Sequence, residues 1–459
     1  HVVVGAYQDD TGASNAGSAY VYDLASATPA TPIATLNNPT PASSDLFGCS
    51  VAVAGDHVVV GAYLDDTGQA SNAGSVSIFS GADCSYYLRL MDFDAGNSDY
   101  MGYSVAGMPD ITGDGVPEVL AGAYLDDTPR GANTGSVQVY NGATGALVFK
   151  SYEPQGRASD YLGFSVAAVG DLNYDGVPDY AGGMLYNDNL MGTDVGAVAV
   201  FSGADGTLIR KMSTGSANDK LGYAIDGIGD VDGDGVNDVL AGAPYEDFAA
   251  TNAGGVVVFS GATGDVIRLL TDPTGAANDN LGYSVAAIPD RTGDGISEVL
   301  AGAYRDDHAA GTNAGSMVIF DPSSGVVVQR LTDTDGAGND EFGTWVVTIG
   351  DIRNGGVAEL MGSSVLDDTA QGADAGSAVL YSWDEYDCDA DGLTPLTGDC
   401  ADNDPNTPGP VVCDGVDNDC DGVVPADEAD VDIDGFRVCD NDCNDGDDTV
   451  FPGAPELCD

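Results

Sequence analysis

Four short acidic segments of this sequence have the residue types and the spacing of loops that bind a hard cation. Residues 110–118, 171–179, 230–238 and 290–298 each place side-chain oxygens at positions 1, 3, 5 and 9, with glycine at position 6. An apolar residue, whose main-chain carbonyl can be a further ligand, stands at position 7. Ca²⁺ takes six to eight oxygen ligands at about 2.3–2.6 Å, and this spacing brings such oxygens together within one loop.

The predicted ligands are the residues at positions 1, 3, 5, 7 and 9 of each segment. They are Asp110, Thr112, Asp114, Val116 and Glu118; Asp171, Asn173, Asp175, Val177 and Asp179; Asp230, Asp232, Asp234, Val236 and Asp238; and Asp290, Thr292, Asp294, Ile296 and Glu298. A hairpin turn rich in Asp and Gly is the alternative. It gives no reason for four copies to keep oxygen at the same four positions, so we predict four calcium sites.

Two related segments depart from the pattern. In "VAVAGDHVVVGA" the loop is deleted, which leaves Asp56 and His57 as a predicted tight turn. In "DIRNGGVAE" Arg353 and Gly355 stand where ligands are needed. We predict no calcium at either place.

These segments belong to a unit that the chain repeats seven times. Its anchor is a glycine at the end of a short apolar strand, and most anchors are 60 residues apart. The anchors are Gly5, Gly61, Gly122, Gly182, Gly242, Gly302 and Gly362. Each complete unit contains four runs of four to eight apolar residues bounded by Gly, Asn or Asp, which predicts four strands, here called A to D. The calcium loops connect strands A and B.

Four antiparallel strands in a unit repeated seven times are typical of a β-propeller. Before strand B, Phe47 and Gly48 form an "FG" pair, as do Phe342 and Gly343, and residues 242–244 spell "GAP". On these motifs, residues 1–383 resemble the FG-GAP repeats of the integrin alpha-chain propeller. The resemblance also implies Ca²⁺ in loops of the form described above. We therefore predict an all-β chain whose residues 1–383 form a seven-bladed FG-GAP propeller.

The first and last repeats are incomplete. The first opens at strand B, and the seventh leaves the pattern where its strand D is expected. Integrin-like propellers close by pairing an N-terminal strand into the last blade. We therefore expect about 30–50 residues before His1 that carry strands of types D and A, because folded proteins avoid an unpaired apolar edge. Donation of these strands by a neighbouring subunit is the alternative.

An acidic pair follows strand B in each repeat, and we expect these B–C loops on the face opposite the calcium loops. The candidate ligand-binding residues on this face are Asp65, Asp66, Asp126, Asp127, Asp306 and Asp307. Integrins engage ligands with this face, so the pairs are interpreted as a surface for a cation-bridged or basic ligand. The alternative is that each Asp caps its own turn in solvent.

Residues 384–459 differ in composition from the rest of the chain. Seven of the nine cysteines lie there among many acids, which is typical of an oxidised, secreted module. The segment resembles Asp/Cys-rich metal-binding repeats of bacterial secreted proteins and, more distantly, thrombospondin type 3 repeats. We predict a small module stabilised by disulfides and one or more Ca²⁺, with a disordered acidic linker as the alternative. Its candidate ligands are Asp387, Asp389, Asp391, Asp417, Asp419, Asp421, Val423, Glu428, Asp430, Asp432 and Asp434.

The other two cysteines are not expected to form a disulfide. Cys49 follows an "FG" pair at the start of strand A, and Cys84 replaces a turn glycine between strands C and D. These positions lie at opposite ends of a blade. Four or five strand residues separate them, which is beyond the ~7 Å Cα–Cα limit of a disulfide.

Composition excludes several functions. The net charge of −61 repels phosphate, which excludes nucleic acid and anionic lipid as partners. The three histidines are far apart in the sequence, and no nucleophile–base pair is recognisable. No apolar run is long enough to predict insertion into a membrane. The leading hypothesis is a non-enzymatic, extracellular or cell-surface protein that binds a protein or glycan ligand. The alternatives are a structural subunit that binds copies of itself and, less favoured, a secreted polysaccharide- or lipid-acting enzyme.

Overall fold

The computed structural model describes residues 1–381 except 69, 190–191, 215–216, 334–335, 353–357, 370–371 and 373–374. The predicted C-terminal module and its ligands lie outside the described residues, as do Arg353 and Gly355. The described part contains 26 strands arranged in seven antiparallel sheets. Within this part, no helix is long and apolar enough to cross a membrane.

The sheets follow one another along the chain, and each is one blade. Blade 1 consists of β1 (Val2–Ala6), β2 (Ser18–Tyr22) and β3 (Pro32–Asn37). Blade 2 consists of β4 (Ser50–Ala54), β5 (His57–Ala62), β6 (Ser75–Ser80) and β7 (Tyr86–Leu90). Blade 3 consists of β8 (Met101–Met108), β9 (Glu118–Ala123), β10 (Ser136–Tyr140) and β11 (Leu147–Ser151). Blade 4 consists of β12 (Leu162–Gly170), β13 (Asp179–Met184), β14 (Ala197–Phe201) and β15 (Leu208–Met212).

The remaining blades repeat this order. Blade 5 consists of β16 (Ile225–Ile228), β17 (Asp238–Ala243), β18 (Gly255–Phe259) and β19 (Val266–Leu270). Blade 6 consists of β20 (Ser284–Ile288), β21 (Glu298–Ala303), β22 (Ser316–Asp321) and β23 (Val326–Leu331). Blade 7 consists of β24 (Phe342–Thr348), β25 (Leu360–Ser364) and β26 (Ser377–Tyr381).

The described part of the chain is a seven-bladed β-propeller, as predicted. Within each complete blade the strands pair in sequence order, A to D. Each strand A packs against strand A of the next blade, as β4 does against β8 and β8 against β12. In the described residues blade 1 has strands B to D and blade 7 has strands A to C, in agreement with the predicted strand count. Strands upstream of His1 stay a prediction.

The core lies between blades. Strands B and C are buried along their whole length in blades 3 to 5, because a neighbouring blade covers each face of the sheet. Between blades 4 and 5, for example, Val200 and Phe259 belong to one apolar cluster. Each fully buried side chain of this kind stabilises the fold by roughly 1.5–3 kcal/mol.

The "FG" and "GAP" glycines meet where consecutive blades touch. Gly163, the glycine of its "FG"-type pair, has φ +90°, and its carbonyl oxygen lies against the α-carbon of Gly122 in the preceding blade. The same contact joins Gly222 to Gly183, not to Gly182, so the predicted anchor of blade 4 was wrong by one residue. In blade 7, Gly362 pairs with Val346 just as Gly182 pairs with Val166 in blade 4. The blade 7 residue that is equivalent to Gly183 is therefore Ser363, one residue after the predicted anchor.

Two turns refine the predictions for blade 2. Ala54 pairs with His57, so Gly55 and Asp56 form the turn and His57 begins β5. Gly55 has φ +58°, which a two-residue hairpin requires. Cys84 takes the predicted place of a turn glycine, with φ +60°, and both it and Cys49 are free thiols.

Candidate functional site

The A–B loops of blades 3 to 6 are tied down by the acid at position 9. This residue is Glu118, Asp179, Asp238 or Glu298, and each is the first residue of strand B and fully buried. In blade 5 the carboxylate of Asp238 accepts the main-chain N–H groups of Val231 at 2.7 Å and Gly261 at 2.9 Å. Through these two hydrogen bonds the acid links the start of the loop to the end of strand C, and the link does not require an ion.

The acids at positions 1 and 5 shape the rest of the loop. Asp230 accepts the N–H groups of Gly233 at 2.7 Å and Gly235 at 2.8 Å, and Asp234 accepts the N–H of Val236 at 2.9 Å. The loops of blades 3, 4 and 6 repeat the bonds to positions 6 and 7. Gly235 has φ +89°, a conformation that favours glycine at position 6.

Carboxylate oxygens converge in two of these loops. Asp230, Asp232 and Asp238 each offer an oxygen within 4.8 Å of the others. The same holds for Asp290, Asp294 and Glu298. Positions 1, 5 and 9 carry a carboxylate in all four loops, whereas position 3 is acidic only in blade 5, where it is Asp232. Each carboxylate keeps further lone pairs, so all four donor sets suit a hard cation.

Burial changes the pKa of the position 9 acids. Desolvation raises the pKa of Asp179 and of Asp238 to about 6, and it also raises the pKa of Glu298. A cation bound beside these acids would favour their charged form.

The residue after strand C also contributes to the loop environment, which none of the sequence patterns above predicted. In blade 3 the side-chain amide of Asn141 donates to Asp114 at 2.6 Å and to Thr112 at 2.9 Å. In blade 5 the hydroxyl of Ser260, the residue after strand C, donates to Asp234 at 3.4 Å. The polar residue just after each strand C was the available signal.

The acidic pairs of the B–C loops divide into a buried and an exposed member. Asp65, Asp126 and Asp306 are 2%, 2% and 7% exposed and contact Arg89, Lys150 and Arg330, respectively. These three carboxylates are therefore paired with a cation of the chain and are not open to solvent.

The exposed members are Asp66, Asp127 and Asp307. Asp127 accepts the main-chain N–H of Asn133 at 2.8 Å, and Asn133 has φ +53°. Asp66 and Asp307 make the same contact with Asn72 and Asn313. Each exposed member thus caps its own turn, which leaves other lone pairs of the carboxylate open to solvent.

A cluster of aromatic side chains lies at the same end of the blades as the acidic pairs, next to the central strands. We call it the tyrosine cluster. Consecutive rings are in contact, with centroids 4.8 Å apart for Tyr103 and Phe164, 5.0 Å for Phe164 and Tyr223, and 4.5 Å for Tyr223 and Tyr283. The cluster comprises Tyr63, Tyr100, Tyr103, Tyr124, Tyr161, Phe164, Tyr186, Tyr223, Tyr245, Tyr283 and Tyr304.

Part of the tyrosine cluster lines a pocket of about 310 Å³. The ammonium of Lys220 lies in this pocket, 4.5 Å from the ring centre of Tyr245 and 5.0 Å from that of Tyr186. Burial raises the pKa of Tyr103 and Tyr223, so their hydroxyls stay protonated at neutral pH. The pocket therefore has aromatic faces and hydroxyl donors, and it already holds one cation.

No sequence pattern described above predicted this cluster. Tyrosine recurs two residues after the anchor glycine, as in Tyr63 and Tyr124, and directly after the "FG"-type pair, as in Tyr103 and Tyr223. These two series of aromatic residues were the signal available in the sequence. Cys49 takes the position after the "FG" pair in blade 2, where burial raises its pKa to about 12.

Comparison with known proteins agrees with this geometry. Two family models described as FG-GAP repeat match residues 33–79 and 221–259. Integrin alpha-V of Gallus gallus is 33% identical over 228 residues, which cover 46% of this chain and 21% of that protein. The propeller is integrin-alpha-like.

Other integrin alpha chains give similar matches. Integrin alpha-8 of Gallus gallus is 30% identical over 246 residues, covering 51% of this chain and 22% of its own. Integrin alpha pat-2 of Caenorhabditis elegans is 29% identical over 234 residues, covering 46% and 18%. The matched part of this chain thus covers about a fifth of the length of these relatives.

Proposed function

We propose that this chain is the calcium-stabilised propeller of an extracellular or cell-surface adhesion protein, and that it binds its ligand through the tyrosine cluster. The observation that carries the proposal is the pocket at Tyr103, Phe164 and Tyr223, on the face that also bears the exposed acids. Similarity to integrin alpha chains supports a binding role and, indirectly, the absence of catalysis.

Calcium has a structural role in this proposal. The side chains at positions 1, 3, 5 and 9 of the four A–B loops, with the carbonyl at position 7, would hold one Ca²⁺ in each loop. The ion would neutralise carboxylates that burial and mutual repulsion disfavour, and it would fasten strand A to strand B. The second and seventh blades are proposed to bind none, and calcium in the tail stays a prediction.

The ligand group proposed is a cation, such as an arginine or lysine side chain of an extracellular protein. Aromatic faces attract cations, and the exposed Asp66, Asp127 and Asp307 add a negative potential around them. Lys220 shows that an ammonium is compatible with this pocket. A partner cation would displace Lys220 or occupy the neighbouring rings.

The test is binding of the full chain to immobilised arginine-containing and lysine-containing peptides in millimolar Ca²⁺. Tyr103→Ala and Tyr223→Ala should weaken binding at least tenfold. Tyr86→Ala is the matched control, because Tyr86 is a half-exposed tyrosine on β7, away from the cluster. Equal binding by all three variants, or binding only to neutral glycans, would contradict the proposed ligand class.

A further inference from the structure

Each junction between consecutive blades contains a buried acid. Asp99 and Asp160 stand two residues before strand A of blades 3 and 4, and each is 2% exposed. Their carboxylates accept the main-chain N–H groups of Gly96 at 2.5 Å and Arg157 at 2.6 Å. A buried carboxylate needs a compensating charge or hydrogen bonds, because transfer from water costs several kcal/mol.

At the junction between blades 2 and 3, a lysine side chain of the chain itself neutralises the buried acids. Asp92, Asp99 and Asp126 each have an oxygen within 4.8 Å of the others. The ammonium of Lys150 lies 2.7 Å from Asp92 and 3.0 Å from Asp126. At the junction between blades 5 and 6, Arg330 contacts Asp272 and Asp306 in the same way.

The junction between blades 3 and 4 has the same architecture. Glu153, Asp160 and Asn187 occupy the positions of Asp92, Asp99 and Asp126 and are 5%, 2% and 2% exposed. The same main-chain hydrogen bond crosses both junctions. The N–H of Tyr186 donates to the carbonyl of Asp160, and the N–H of Leu125 donates to the carbonyl of Asp99.

Within the described residues, no ion pair fills this junction. Lys211 occupies the strand position of Lys150, next to the last residue of strand D, but its side chain is exposed. Among the ion pairs of the described residues, none involves Lys211. The charge of Lys211 lowers the pKa of Asp160 from this exposed position, but no described ion pair places an ammonium against these acids as Lys150 does one blade earlier.

Two buried oxygens of this junction have no partner. Oε2 of Glu153 and Oδ1 of Asn187 make no hydrogen bond. Both side chains act at Asp160: the amide of Asn187 hydrogen-bonds to its carboxylate, and the charge of Glu153 opposes its ionisation. In the preceding junction the residues equivalent to Glu153 and Asn187 are Asp92 and Asp126, and both contact the ammonium of Lys150.

We propose that the junction between blades 3 and 4 binds a divalent cation, Ca²⁺ in a calcium-containing medium, through Glu153, Asp160 and Asn187. Two carboxylates and an amide oxygen are ligands that Ca²⁺ prefers, and water or main-chain carbonyls can complete the shell. A divalent ion balances the two negative charges. This site lies on the face opposite the A–B loops and is additional to them.

The test counts bound Ca²⁺ per full-length chain by metal analysis after equilibrium dialysis against Ca²⁺ alone. Glu153→Gln, which preserves shape and one acceptor, should lose one ion per chain. Asp92→Asn, the equivalent change at the junction filled by Lys150, should lose none. Asn187→Asp guards against misfolding, since it should keep the ion and bind it more tightly.

Equal calcium counts in wild type, Glu153→Gln and Asp92→Asn would overturn the proposal. Water would then be the partner of Oε2 of Glu153 and Oδ1 of Asn187. Lys211→Met tests the remaining possibility. If it lowers the melting temperature in EDTA while Glu153→Gln keeps its full calcium count, Lys211 neutralises the junction and the proposal fails. An unchanged melting temperature together with a lost ion in Glu153→Gln supports it.

Discussion

The α-carbon of Gly122 faces the main-chain carbonyl oxygen of Gly163 so closely that a methyl group on Gly122 would lie 1.9 Å from that oxygen. Real Cβ atoms do not come within 3.0 Å of another heavy atom. The backbone of blade 3 therefore rests directly on the backbone of blade 4, and the two glycines of the repeat motif are required by one shared contact.

Gly122→Ala should destabilise the propeller by about 3 kcal/mol or more, because main chain and not a mobile side chain must shift. Urea unfolding followed by tyrosine fluorescence measures the effect. Gly68→Ala is the control, since a methyl group there meets nothing within 4 Å. Similar losses for both variants would contradict the role given to the contact.

Calcium removal should lower the melting temperature. For dissociation constants of 10⁻⁴ to 10⁻³ M, millimolar Ca²⁺ stabilises the fold by about 0.4–1.4 kcal/mol per site. Asp234→Ala should remove one ion without unfolding the ring, whereas Asp56→Ala, in the blade 2 turn, should remove none. A melt unaffected by EDTA, together with metal analysis that finds no calcium, would disprove the loop sites.

The stability of the metal-free protein should fall as pH rises from about 4 to 7. Burial raises the pKa of Asp45, Asp99 and Asp279 from 3.8 to about 6. A raised pKa in the folded state means that the protonated acid stabilises the fold. This contribution is complete below pH 3.8 and is lost as pH rises through 6.

Asp279→Asn should flatten this dependence and stabilise the metal-free protein at pH 7 by about 1–3 kcal/mol, because it removes one buried charge. Unfolding by urea in EDTA between pH 4 and 7 measures the slope. Asp265→Asn changes an exposed acid by the same charge and should leave the slope unaltered. A steeper slope in Asp279→Asn would show that the protonated form of Asp279 does not stabilise the fold.

Lys220→Met should strengthen binding of arginine-containing peptides, because Lys220 competes for the rings of Tyr186 and Tyr245. A cation–π contact of this kind is worth about 0.5–2 kcal/mol, so a severalfold increase in affinity is expected. Lys211→Met makes the same change in net charge on an exposed side chain and serves as the control. Weaker binding by Lys220→Met alone would show that Lys220 assists the ligand.

Local patterns carried much of the prediction. Strand runs of four to eight residues, glycines at regular intervals and the Asp spacing of residues 230–238 each depend on neighbours in sequence, so the sequence alone predicted the seven blades and the candidate ion loops. The turn in blade 2 was misplaced by one residue because Gly55, with its positive φ, closes the hairpin. The anchor of blade 4 was misplaced because two consecutive glycines, Gly182 and Gly183, fit the pattern equally well.

Tertiary structure alone decided the properties that arise between blades. Asp65 and Asp66 are adjacent acids, yet Asp65 is buried and Asp66 is exposed. Asp65 is the buried one because it pairs with Arg89 of β7, a contact that only the tertiary structure reveals. Tyr223 and Tyr283 touch although they are one repeat apart, because ring geometry brings equivalent positions of successive blades together. The sequence determined what each repeat contains; packing of unlike repeats against one another determined which charges are buried and which rings form a pocket.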